Sequence, residues 1–447
     1  MEIMSGLIVL LGALMLGVRH GGIGLALING MAVVIFTFVY GYKPGKPPVD
    51  VMLIIMTVVT CAGVLQAAGG LNVMLKYAEK FLRSNPKRIT IYAPITTWFL
   101  TVLCGTAHVM YAIMPIIYDI AIKQGIRPER PMAAASISGP MGITASPVSV
   151  AVASIVGFLM AAGYSCTVGT VLMVSVPATF LGVLAAAIWS YRRGKDLEDD
   201  EEFQSFISNP ENKEYVYGET ATLADKELPR HSYWAVYIFF AGIIAITCLG
   251  NMPSLLPHFS ASAGAPAKPL SMVLVIQMIM LTVGGLILLI SRVKAKEVPN
   301  SNVFKAGMTA LVTVFSVAWA ADTYFSHHMP VIKSVLGGAV QEYPWAYAIV
   351  LFTASVLINS QGAAIAIVTP MALIIGLDPV IVIAFTAAAY GYFFLPNYPS
   401  DLATIEFDRA GTTKIGGWVL NHSFMVPGLI AVTVGCLVGF SLVKVLL

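Results

Sequence analysis

The amino-acid sequence predicts an all-α polytopic membrane protein made of two inverted-topology repeats, each with about five transmembrane helices and one re-entrant hairpin, and with broken helices at the midplane. Three observations predict it: a composition that only lipid can solvate, a hydropathy pattern that recurs between the halves, and polar, proline-containing interruptions at related places. Of 447 residues, 57% are hydrophobic and 11% charged, and the mean hydropathy is +0.82. One soluble core cannot hide that much apolar surface. Stretches 3–17, 23–40, 51–66 and 168–189 approach the ~20 apolar residues that cross a bilayer as helix.

Met1-Glu2-Ile3 has no basic n-region, so no cleavable signal is expected and the first helix stays in the mature protein. Cys61, Cys104, Cys166, Cys248 and Cys436 stand singly among apolar residues, which suits buried side chains rather than a metal cluster or disulfides. The net charge of +3 is uninformative, but its placement is not. With both termini periplasmic, every Lys and Arg except Lys43, Lys46, Lys268, Lys333 and Lys444 falls on the cytoplasmic side, as the positive-inside rule requires. Arg127 and Arg130 are then topogenic anchors that also draw anions toward a cytoplasmic vestibule.

A polar segment, 191–230, divides the chain almost in half and includes the acidic run 196–202; it reads as a solvated cytoplasmic linker. Residues 1–190 form the first repeat and 231–447 the second, matched at an offset of about 255 residues by hydropathy and by the placing of Pro and Gly. Helix 22–41 corresponds to 272–291, and 51–66 to 306–321. The amphipathic stretch 71–82 corresponds to 330–340, and both read as interfacial helices on opposite membrane surfaces. Asp322 is expected to cap the second of these.

Two apolar arms separated by 104–108 form a hairpin over 89–124, whose flanks are both basic. Its counterpart spans 345–376 around Asn359-Ser360-Gln361-Gly362 and enters from the opposite face, with Pro115 and Pro370 at matching positions. Each hairpin precedes a broken helix, 131–162 or 379–412, interrupted at Thr144-Ala145-Ser146-Pro147-Val148-Ser149 or Pro396-Asn397-Tyr398-Pro399-Ser400-Asp401. Proline removes an amide donor and clashes with the preceding turn. Unwound backbone is tolerated at membrane depth only where protein or water satisfies it.

Four such discontinuities carry hydroxyls, carboxamides and free amides toward the midplane, and none contains Lys or Arg. Helix N-termini present unpaired N–H groups and about half a positive charge each, enough in concert to hold two carboxylates. Candidate ligands are Gly105, Thr106 and Ala107; Ser146, Pro147 and Ser149; Asn359, Ser360 and Gln361; and Asn397, Tyr398, Ser400 and Asp401. Ionisable groups inside spans are costly and functional by default, so Asp401, Asp119 and His108 are candidates for a coupling proton or cation.

An intramembrane enzyme would need HExxH, paired aspartates or a Ser-Lys dyad, and none is present. The seven histidines are dispersed, and there is no Walker A motif, gating-charge array, cofactor fingerprint or nucleic-acid-binding pattern. The residues point to a secondary transporter of a small anion. They leave open another small carboxylate, coupled to H⁺ or Na⁺.

Segments 43–51, 127–133, 145–151, 395–403 and 407–413 resemble the anaerobic C4-dicarboxylate transporter family of the Dcu A/B type across nearly the whole chain. The acidic linker with Glu214-Tyr215-Val216-Tyr217-Gly218 resembles the B branch. The resemblance implies fumarate uptake against succinate efflux at the bacterial inner membrane, with malate and aspartate as related substrates. It further implies a homodimer of the ion-transporter-superfamily type working as an elevator. Helices 1–82 and 232–341 would be the scaffold, and the hairpins and broken helices the moving domain. Relatives also partner a membrane sensor kinase. Two positions depart from the family pattern: Asn397, where members often have Thr, and Pro140, where they tend to have a polar residue.

Overall fold

The computed structural model describes residues 2–20, 22–218, 227–260, 267–395, 398–416 and 420–447. The chain opens with α1 (Glu2–His20) and α2 (Gly22–Val34), the latter continued by a π turn, Ile35–Val39. After α3 (Val49–Ala67), Gly69 takes φ +77° and turns the chain into α4 (Gly70–Ser84), which buries Val73, Met74, Leu75, Ala78 and Leu82 on one face. Only a residue without a β-carbon adopts that left-handed turn at no steric cost.

The first hairpin comprises α5 (Ile89–Cys104) and α6 (Met110–Lys123). The first broken helix is α7 (Glu129–Ile143) followed by α8 (Val150–Ala161), and α9 (Val168–Ser190) completes the half under a Thr167–Thr170 capping box. Two short helices, α10 (Glu201–Ile207) and α11 (Pro210–Tyr217), lie in the central segment. The second half runs through α12 (Arg230–Asn251), α13 (Met272–Ser291) and α14 (Asn302–Glu342) to a hairpin of α15 (Ala346–Ile358) and α16 (Gln361–Ile375). There follow α17 (Pro379–Ala384), a 3₁₀ turn (Thr386–Ala389), α18 (Pro399–Phe407) and α19 (Met425–Leu446). A two-residue antiparallel pair, His258–Phe259 with Lys268–Pro269, is the only sheet among the described residues.

By length and composition, seven of the described helices can cross a bilayer: α2 with its π turn, α3, α9, α12, α13, the 302–328 part of α14, and α19. The segment Glu2–Gly17 is a shorter apolar helix, and the two broken helices supply their lengths in pieces.

Packing between the halves is reciprocal: α2 lies on α14 while α3 lies on α13; α6 meets α18 while α8 meets α16; and α9 pairs with α19. Contacts also define two ends. Gln66 at the foot of α3 accepts from the Val303 amide at the head of α14, and Ser232 at the head of α12 donates to the Ala68 carbonyl. The base of the first hairpin is at this same end, because Tyr118 donates to the carbonyl of Val216 in the linker. The base of the second hairpin is at the other, where Pro370, Leu373 and Ile374 share a cavity with Lys43 and Lys46.

Three expectations need correction. The separate interfacial helix expected over 330–340 is not separate: α14 is continuous for 41 residues. At the offset of about 255 the position of Gly69 is taken by Tyr324, a residue whose β-carbon disfavours the left-handed turn, so the helix runs on. Asp322 therefore caps nothing; it sits inside α14 and accepts from the Lys46 amide at 2.8 Å and the Ser326 hydroxyl at 3.2 Å.

Nor is the acidic linker a solvated tether. Leu197, Phe203 and Val216 are buried, Asp196 pairs with Arg130 at 2.8 Å, Glu202 with Lys414 at 3.1 Å, and Asp200 with Arg127. Arg127 also holds Glu129 at 3.0 Å, and Glu129 reaches Arg193 at 3.1 Å, so the linker joins the first turn of α7 through a nearly buried charge network. Burial works to raise the Asp200 carboxyl, but the Arg127 guanidinium and the Phe203 amide outweigh it and hold the group below its ordinary value.

Unwound backbone in the second half also finds partners. Ser355 on α15 donates to the Ala389 carbonyl at 2.6 Å and accepts from the Gly391 amide at 2.9 Å, satisfying both groups inside the bundle. Ser355→Ala should lower the unfolding free energy in detergent by about 1–3 kcal/mol, the cost of orphaned buried polar groups. An unchanged melting temperature would contradict this. Asp200→Asn should speed tryptic cleavage after Lys195 and Lys213 severalfold at neutral pH, read by gel. Because the folded Asp200 value is depressed, its contribution is present above about pH 4 and is lost as pH falls through the folded value.

Candidate functional site

The two hairpin tips are built alike. In the first, α5 ends at Gly105 with φ +72°, and Thr106 is extended and caps the next turn, its hydroxyl accepting from the His108 amide at 3.3 Å. In the second, α15 ends at Asn359 with φ +55°, and Ser360 is extended and caps α16, accepting from the Ala363 amide at 3.3 Å. A left-handed residue followed by a hydroxyl cap reverses the chain and aims a fresh helix N-terminus inward. Asparagine and glycine tolerate that backbone; Gly105 is needed further because a β-carbon there would overlap the Val148 carbonyl of the first helix break.

Both tips open on one cavity of about 590 Å³. Gly105, Thr106 and His108 line it from the first hairpin; Asn359, Ser360, Gln361 and Gly362 line it from the second. Val148, Val150 and Ala151 come from the first break, and Tyr398 and Pro399 from the second. The far wall is α3 and α14, through Val59, Ala62, Thr309 and Thr313, and the cavity extends to Lys305 near the head of α14. The lining therefore brings together four of the expected discontinuities.

Several expected ligands stand behind this wall. Ala107 is buried, and Ser146 and Ser149 are spent on their own backbone: Ser146 accepts from the Val148 amide, while Ser149 accepts from the Val152 amide and donates to the Ser146 carbonyl. Pro147, next to them, is not in the lining. Ser400 and Asp401 are fully buried in α18. One Asp401 oxygen accepts from Ser136 of α7 at 2.6 Å; the other has no partner among the described residues. Asn397 lies outside the described residues.

Asp119 is in neither place. It is held in α6 between Arg83 at 3.0 Å and Lys123 at 2.8 Å, an ion-pair group toward the linker end. His108 does reach the cavity, with its ring 2.6 Å from the Thr106 hydroxyl. The α14 hydroxyls Thr309 and Thr313 escaped sequence reasoning, although two threonines four apart on an apolar helix share a face. Tyr392, which also lines the cavity, and Ser136 carry no local signal in the sequence. Two hydrogen bonds tie the second half to α7: Gln361 donates to the Pro140 carbonyl at 2.9 Å, and Ser136 donates to Asp401. The described residues contain no group of three or more metal-ligating side chains.

Comparison with known proteins agrees over the full chain. The family described as anaerobic C4-dicarboxylate membrane transporter matches residues 2–447. The anaerobic C4-dicarboxylate transporter DcuB of Escherichia coli O157:H7 is 54% identical over 437 residues, 97% of each chain. The C4-dicarboxylate transporter DcuA of Wolinella succinogenes is 37% identical over 442 residues, 99% of each. In fold, the chain is similar to the YdaH transporter of Alcanivorax borkumensis, whose crystal structure was described as having an unusual topology. The TM-score is 0.53 at 17% identity, covering 92% of this chain and 88% of that one.

The Asn359 backbone makes a separable prediction. Asn359→Gly should melt within a degree or two of the parent, whereas Asn359→Val should be destabilised by about 1–3 kcal/mol, since a β-branched residue is strained at positive φ. Equal melting temperatures in detergent would refute the assigned tip geometry.

Proposed function

The chain belongs to the anaerobic C4-dicarboxylate membrane transporter family, nearer its DcuB branch, and from that premise we propose that it exchanges fumarate for succinate, with malate and aspartate as further substrates. It is a multi-pass protein of the bacterial inner membrane that carries C4-dicarboxylates by secondary transport, and not an enzyme. The observation that carries the exchange reading is the pair of like-built hairpin tips facing one cavity.

Helix N-termini after Thr106, Ser149, Ser360 and Tyr398 gather around that cavity. Each carries a partial positive charge, and the protein's low dielectric strengthens its pull on carboxylates. The tips bring no fixed cation; Lys305 stands at the edge of the cavity. A loaded site is thus nearly neutral, and an empty one exposes uncompensated dipoles. Movement of the loaded form is favoured over the empty one, which makes exchange obligatory and, for two dianions, electroneutral.

The reciprocal packing of the halves supports two inverted repeats, 1–190 and 231–447. In the elevator reading, α1–α4 and α12–α14 are the scaffold, and the two hairpins with α7, α8, α17 and α18 move. The crowding of basic groups at the linker end supports periplasmic termini. Family resemblance alone supports a homodimer and a sensor-kinase contact. One observation favours a second reading, net uptake with H⁺ or Na⁺: the unpartnered Asp401 oxygen, where an ionised group would be costly without a proton or cation.

Purified protein in liposomes should exchange labelled succinate for internal fumarate without net charge movement. Strong uptake into empty vesicles would favour the coupled reading instead. Ser360→Ala and Asp401→Asn should each cut exchange on the order of tenfold or more at unchanged expression. Parental rates would remove Ser360 from the site and Asp401, behind its wall, from any part in transport.

A further inference from the structure

We propose that Lys43 and Lys46 form a second dicarboxylate site, a low-affinity waiting station at the mouth opposite the linker; the inference rests on the transport reading above. A cavity of about 860 Å³ lies there, larger than the central one. It is lined by the loop before α3 and that helix's first turn, the end of α8, the middle of α14 and the end of α16. The same four helices line the central cavity through earlier or later turns: α3 at Val59 and Ala62, α8 at Val150, α14 at Thr309 and Thr313, α16 at Gln361. The two cavities are successive chambers along one interface. Helix α8 links them, and its 12 residues span about 18 Å.

The charge arrangement in the outer chamber suits a dianion. The loop bearing the lysines is clamped to α14: the Gly45 amide donates to the Thr323 hydroxyl at 3.0 Å, the Lys46 amide to Asp322 at 2.8 Å, and the Trp319 indole to the Gly45 carbonyl at 2.8 Å. This fixes the roots of both side chains at the rim. Neither ammonium makes a salt bridge among the described residues. Neither of the two carboxylates in the chamber is paired with a lysine among the described residues. Asp322 accepts from the Lys46 amide and Ser326, and Asp50 sits in the first turn of α3, where a negative charge offsets the helix dipole. His327 completes the polar rim, its ring stacked on Tyr42 at 3.8 Å. Two ammonium groups on a fixed loop raise the local concentration of a dianion, while water in the chamber keeps the hold weak.

The test measures half-saturating succinate for exchange in right-side-out and in everted membrane vesicles. The double variant Lys43→Gln/Lys46→Gln should raise that concentration by roughly fivefold from the face bearing the chamber, with the maximal rate and the opposite face unchanged. Lys43→Arg/Lys46→Arg should restore the parental value, and added salt should erase the parent's advantage. Equal values for variant and parent on both faces, or equal weakening on both, would overturn the proposal. So would an effect confined to proteoliposomes containing phosphatidylglycerol and absent from phosphatidylcholine alone, which would assign the lysines to lipid headgroups. A parent that exchanges no dicarboxylate would instead overturn the transport reading on which this one stands.

Discussion

Everything in this molecule answers to one constraint: backbone polar groups at membrane depth must find a partner, because lipid offers none. A continuous helix meets that demand alone. A broken one does not, and every break here is surrounded by side chains that take up part of the deficit. Ser355 holds two groups of the unwound strand, Ser146 and Ser149 hold the first break closed, and Thr106 and Ser360 cap the tips. The hairpin tips that result line one cavity, with Gly105, Thr106, Asn359 and Ser360 in its wall.

The same constraint explains why the two halves need each other. The hairpins and helix breaks of one half pack on those of the other: α8 from the first half rests on α16 from the second, and α6 on α18. Two hydrogen bonds fasten the arrangement at α7, from Gln361 to the Pro140 carbonyl and from Ser136 to Asp401. At the linker end, Arg127, Glu129, Arg193 and Asp200 form a nearly buried network that ties the first turn of α7 to the segment joining the halves. Such a network is costly to desolvate, and its worth lies in register more than in net stability.

How much of this was legible depended on whether the cause was local. The hairpin tips were readable because Gly105 and Asn359 announce a left-handed residue and the next residue in each case is a hydroxyl cap. The fate of Ser146, Ser149 and Asp401 was not, since whether a hydroxyl turns to its own backbone or into a cavity depends on what packs behind it. Asp119 reads in sequence as an intramembrane titrating group, whereas its partners Arg83 and Lys123 make it part of an ion-pair group. The linker's acidic run looked solvated because its partners, Arg127, Arg130 and Lys414, lie 66 or more positions away in the chain or in separate elements.

By itself, then, the sequence determined the lipid solvent, the helical class, the places where helices break and the family to which the chain belongs. The first three follow from composition, from period and from proline and glycine chemistry, which act within a few residues; the family follows from the likeness of whole segments such as 43–51 and 395–403. Only the tertiary structure decided which polar groups share a cavity, that α14 runs unbroken past the site of its expected corner, and that two chambers lie along one interface. Those outcomes are set by contacts between residues distant in the chain, whose partners no local pattern specifies.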